Sequence, residues 1–145
     1  ISKLEGKNYY RGWGSTHFHE VSAPAVQEKT DAFFKYLKEK EDKLWIGTFP
    51  DVAKYAQEYA THSLSVDSIS ENSISISLTD KMKDEIYDYP LTIKVRLANN
   101  WLSLSATQNG NEIESKIISY NHNKYALVKA IPDHGQVILK GDIFK

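Results

Sequence analysis

The chain has 145 residues, enough for one ordinary domain or a small domain with an appendage. Its 18 basic and 19 acidic residues nearly cancel and form no basic run, which speaks against a nucleic-acid partner held by phosphate neutralisation. No apolar run approaches the roughly 20 residues of a membrane span. The lack of cysteine excludes disulfides, thiolate-held zinc and a cysteine nucleophile.

A hydrophobic fraction of 41% beside a charged fraction of 26% is that of a soluble globular protein. Nine Tyr and three Trp suit a carbohydrate-handling surface and suit a tightly packed β-domain equally well. The chain opens on Ile1 and shows no signal-peptide pattern, so a mature or excised segment is expected.

The first strong period is helical. Over 24–41, Val26, Phe33, Tyr36 and Leu37 recur at spacings of three and four, with charges opposite. Pro24 fits the first turn, where its missing N–H costs nothing. The apolar run Leu44-Trp45-Ile46-Gly47 predicts a short buried strand, with Trp45 in the core. A second helix follows from Thr48, with Thr48 as cap, Pro50 in the first turn and Asp51 at the positive helix end. Val52, Tyr55, Ala56, Tyr59 and Ala60 line one face of it.

Near His62 the period drops to two. Leu64, Val66 and Ile69 alternate with Ser and Asp, then Ile74, Ile76 and Leu78 alternate with Ser. Glu71-Asn72 between them suits a tight hairpin. Further strands are expected at Leu91–Leu97, Trp101–Thr107, Ile113–Ser119, Tyr125–Ala130 and Gln136–Lys140. Turn signals at Asn99-Asn100, Asn109-Gly110-Asn111 and Pro132-Asp133-His134-Gly135 separate them. The fold class expected is therefore α+β: a helical 1–62 segment with one or two strands, then an antiparallel β-sandwich over 63–145.

The run Leu44-Trp45-Ile46-Gly47-Thr48-Phe49-Pro50-Asp51-Val52-Ala53-Lys54-Tyr55 resembles the last strand and helix of bacterial NodB-type polysaccharide deacetylases. Tyr87-Asp88-Tyr89-Pro90-Leu91-Thr92 resembles the entry into the β-domain that some of them carry. The resemblance implies that 1–62 is the end of a (β/α) barrel and 63–145 an accessory sandwich. It implies an intact hydrolase that removes acetyl groups with a divalent, zinc-like metal, on a secreted, periplasmic or cell-surface protein. The T-F-D-D and H-x-x-x-H motifs of those enzymes do not occur here. The segment is then expected to hold no cofactor, to be inactive alone, and to need the missing N-terminal barrel portion as partner. The alternative is a non-catalytic carbohydrate-binding or structural β-sandwich module.

The candidate site residues are few. By position in the resemblance, His19 in Thr16-His17-Phe18-His19-Glu20 stands where the late catalytic histidine falls. His17 and His19, two apart, would point to one side of an extended segment and could chelate a metal; they could equally be two loop histidines. Trp13, flanked by Gly12 and Gly14, could line a sugar cleft. Asp80, Asp84, Glu85 and Asp88 form an acidic cluster without the spacing of a calcium loop, and read as a solvated connection.

Overall fold

The computed structural model describes residues 12–144. The chain falls into two units, one ending at Phe49 and one beginning at Pro50.

In the first unit a single helix, α1 (Pro24–Lys38), carries the predicted period. Pro24 opens it without a side-chain cap, and Lys35 and Lys38 lie in the last turn, where the carbonyl ends favour cations. The Thr30 hydroxyl bonds back to the Val26 carbonyl at 2.8 Å, which satisfies it in the one buried position of the helix. The helix then winds out through turns, with Leu44 donating to the Lys40 carbonyl.

The apolar positions of this unit stay open to solvent. Phe18, Phe33 and Phe34 gather with ring centroids 5.7–6.3 Å apart, yet each remains 37–50% exposed. The expected strand at Leu44–Gly47 does not form, and Trp45 is half exposed instead of core. An extended segment becomes a strand only when a neighbour takes its N–H and C=O groups, and among the described residues no strand pairs with 44–47.

The second unit is an antiparallel sandwich entered by helix α2 (Phe49–Thr61). Its strands are β1 (Ser63–Ile69), β2 (Ser73–Thr79), β3 (Leu91–Leu97), β4 (Ser105–Gln108), β5 (Asn111–Glu112), β6 (Ser115–Tyr120), β7 (Asn123–Ala130) and β8 (Val137–Lys140). One sheet has the order β1-β2-β8-β4-β5 and the other β3-β7-β6. The α+β class thus stands at the level of two helices and two antiparallel sheets.

Period-two alternation builds the core from both sheets. Ile74, Ile76, Leu78, Val137 and Leu139 face inward from one sheet, and Leu91, Ile93, Leu97, Ala126, Val128 and Ala130 from the other. Small alanines on β7 sit against large aliphatics, which allows close packing between the sheets. Edge strand β1 is an exception. Leu64 and Val66 pair with Leu78 and Ile76, so they point to the core side, yet both are about half exposed. The partner sheet is only three strands wide against the five of this one.

Two predicted strands differ in instructive ways. The stretch from Trp101 begins its ladder only at Ser105. Trp101 is drawn into the core, 2% exposed, held by an isolated bridge to Ile143 and by Lys124 Nζ on its carbonyl at 2.6 Å. The run from Ile113 is cut in two because the chain changes sheets there. The backbone N–H of Ile113 donates to Ala106 in one sheet, and Glu114 accepts from Lys129 in the other.

The turns follow the residues that tolerate positive φ. Asn109 (φ 48°) and Gly110 (φ 80°) close β4–β5, and Asn121 (φ 47°) and His122 (φ 62°) close β6–β7. The Pro132–Gly135 turn is clamped by buried Gln108, whose Nε2 donates to the Ile131 carbonyl at 2.6 Å while its Oε1 accepts from the Ile131 N–H at 3.0 Å.

Candidate functional site

The outer face of the three-stranded sheet gathers a distinctive set of side chains. Because Leu91, Ile93 and Leu97 of β3 point inward, Thr92, Lys94 and Arg96 point outward. The register carries Tyr125, Leu127 and Lys129 of β7 to the same face, and Lys116, Ile118 and Tyr120 of β6 beside them. Four cations therefore share one face with two tyrosines, and Glu114 is the anion at its margin.

Lys94 organises this face. Its ammonium lies 4.2 Å from the Tyr125 ring centroid and 5.1 Å from that of Tyr120, so one cation bridges two aromatic rings. Tyr120 is 59% exposed, which leaves its ring free to stack. Arg96 is oriented by a 2.8 Å hydrogen bond to Asn123 Oδ1, and Lys129 pairs with Glu114 at 2.6 Å. Thr92, Ser115, Lys116 and Leu127 join that ion pair around a groove of about 270 Å³. A larger open hollow of about 490 Å³ in the first unit is lined only by 41–46, consecutive residues of one loop, so no second element converges on it.

A second polar cluster lies where α2 meets the connection between β2 and β3. Tyr55 packs against the core and meets Tyr89 edge-on at 6.3 Å. Lys54 pairs with Asp88 at 2.6 Å; that hydrogen bond raises the lysine above its ordinary pKa and lowers the aspartate. Glu58 is fully buried. Its Oε1 accepts the Tyr89 N–H at 3.0 Å and its Oε2 has no hydrogen-bond partner. Burial raises its carboxyl above the ordinary range; Tyr89 opposes the rise, and the Asp80 carboxylate adds to it.

Of the residues singled out from sequence, Trp13, His17 and His19 lie in the first unit and the acidic cluster lies in the second. His17 and His19 do sit side by side, with ring centroids 5.2 Å apart. No group of three His, Asp or Glu side chains placed to hold a metal forms among the described residues. Trp13 is half exposed and stacks at 5.0 Å on Phe49. Of the acidic cluster, Asp84 and Glu85 are solvated, Asp88 is tied to Lys54, and Asp80 is half buried. Glu58 escaped sequence reasoning because nothing marks a lone glutamate on an amphipathic helix as buried. The basic face was legible in principle, since Lys94, Arg96, Lys116 and Lys129 occupy the alternating outward positions.

Comparison with known proteins changes the family reading. A gellan lyase from a Bacillus species is 31% identical over 150 residues, which covers 97% of this chain. The chain spans about 6% of the length of that relative. No family profile and no solved structure matches the chain. The resemblance to NodB-type deacetylases is thereby overturned: similarity along nearly the whole chain is to a lyase, and nothing supports a deacetylase, a hydrolase or acetyl removal. The Trp-Ile-Gly-Thr-Phe and Tyr-Asp-Tyr-Pro-Leu-Thr runs that carried the resemblance shape a loop, a helix start and a strand entry, and such architectural motifs recur between families. The role given to His19 rested on that resemblance.

Proposed function

We propose that this chain is an accessory β-sandwich module of a polysaccharide-degrading enzyme, and that the outer face of β3, β7 and β6 contacts the polysaccharide. The observation that carries the reading is the Lys94–Tyr120–Tyr125 arrangement on a face with three further cations. Aromatic rings offer flat apolar surfaces to the C–H faces of sugar rings, and lysine and arginine pair with carboxylates. An acidic polysaccharide fits this chemistry better than a neutral one.

The similarity to a gellan lyase supports a polysaccharide context and a secreted parent. No helix among the described residues is long and apolar enough to cross a membrane, which is compatible with that setting. A match to about 6% of a much longer relative favours a module over a whole enzyme.

Affinity electrophoresis of the chain through gels containing acidic or neutral polysaccharides tests this. Retardation by the acidic polymer is expected, weakened by added salt and reduced at least several-fold in Tyr120→Ala and Lys94→Ala. Equal mobility in every gel would leave the sandwich a structural module.

A further inference from the structure

The groove on the outer face of β3, β7 and β6 already holds a carboxylate of its own. Thr92 and Lys129 are paired across β3 and β7, and Leu127 and Lys116 across β7 and β6. With Glu114 and Ser115 these residues line a space of about 270 Å³. Glu114 enters it where the chain changes sheets. Its backbone carbonyl accepts the Lys129 N–H at 2.9 Å, and its Oε2 accepts from Lys129 Nζ at 2.6 Å. Lys116 has no ion-pair partner among the described residues, so the groove carries two ammonium groups against one carboxylate.

The Glu114–Lys129 pair is open to water, with side chains 65% and 49% exposed. Such a pair stabilises a fold little, because solvent screens it and two long side chains lose freedom in forming it. A carboxylate from outside can take Lys129 from Glu114 at small cost if it brings further contacts. Thr92 offers a hydroxyl and Leu127 a half-buried apolar wall, which suit the hydroxyls and C–H face of a sugar ring. We infer that Lys129 and Lys116 bind the carboxylate of an acidic sugar residue in this groove, and that Glu114 is the internal ligand it displaces. The inference rests on the reading of this face as the polysaccharide surface, and it names the residues that select for charge. A neutral sugar cannot replace Glu114 on Lys129, so the pair also discriminates against uncharged polymers.

The test is affinity electrophoresis of the full 145-residue chain in gels containing polygalacturonate or neutral dextran. Glu114→Gln frees Lys129 and is expected to tighten binding to polygalacturonate about two- to fivefold, with no change in dextran. Glu114→Ala should give the same gain. Glu85→Gln, the same charge change at an exposed position before β3, should leave binding unchanged. Lys129→Ala should weaken binding, and the gain from Glu114→Gln should vanish in that background. An equal gain in Glu85→Gln would reduce the effect to net charge and overturn the inference, as would a gain kept in the Lys129→Ala background. No gain in a chain that is still retarded, and still weakened by Tyr120→Ala, would also overturn it while leaving the face a polysaccharide surface. No retardation of the unaltered chain or of any variant in either gel would overturn the reading of the face and this inference together.

Discussion

The two units use similar apolar residues to opposite effect. Trp101, Ile76 and Leu139 of the sandwich are at most 2% exposed, whereas Trp13, Phe34 and Trp45 of the first unit are each 50% exposed. The difference lies in backbone pairing. In the sandwich, ladders between distant segments such as β2–β8 and β3–β7 bring alternating side chains onto two facing surfaces. The described residues of the first unit form one helix and turns with no strand ladder, so its aromatics gather in small groups that stay exposed, such as Phe18, Phe33 and Phe34. Hydrophobic content alone does not make a core; a second surface has to be brought opposite the first.

Substitutions that probe burial break or sharpen this contrast, and the largest effect is expected at Trp101. Trp101→Ala should cost about 3–5 kcal/mol by urea unfolding, because it empties the deepest aromatic site. Trp45→Ala, of the same chemistry at a half-exposed position, should cost below about 1 kcal/mol. Equal costs would erase the contrast between the units.

Gly141→Ala tests how tightly Trp101 is packed. A Cβ there would meet the Ser103 carbonyl at 2.2 Å and the Trp101 ring at 2.7 Å, so the backbone must shift. A loss of about 1–3 kcal/mol is expected, with a change in tryptophan fluorescence. Gln108→Ala should follow at about 1–3 kcal/mol, since it removes the partner of the partly buried N–H and C=O of Ile131.

A smaller and pH-dependent effect belongs to Glu58. Its folded pKa is raised above the ordinary 4.5, so the folded state holds the proton more tightly than the unfolded one. Its favourable contribution is present below the unfolded value and is lost as pH rises through the folded one. The unaltered chain should therefore lose Tm above about pH 4.5 more steeply than Glu58→Gln. Asp88 has the opposite sign, with its pKa lowered by Lys54. Its contribution holds above the unfolded pKa and fades as pH falls through the folded one. Because that pair is exposed, Asp88→Asn should leave Tm near neutrality almost unchanged, the smallest effect of the series.

The local elements were mostly legible because they rest on local signals. Pro24 and the spacing of Val26, Phe33 and Tyr36 specify α1, and Ser-Ile-Ser-Ile-Ser-Leu specifies β2. The Glu71-Asn72 and Asn109-Gly110 turns closed hairpins where their chemistry placed them. The strand at Leu44–Gly47 failed because an apolar run says nothing about whether a partner strand arrives.

The candidate sites were far less legible. Lys94 meets Tyr120 only because β7 lies between β3 and β6, a sheet order that no local pattern contains. Glu58 accepts from the Tyr89 N–H, 31 positions on, only once α2 packs beside the connection between β2 and β3. The sequence by itself determined both helices and most of the strands and turns, since propensity and period act over a few residues. Tertiary structure alone decided strand order, the change of sheet at Ile113–Glu114, and which polar groups lose water, because those depend on contacts between residues far apart along the chain.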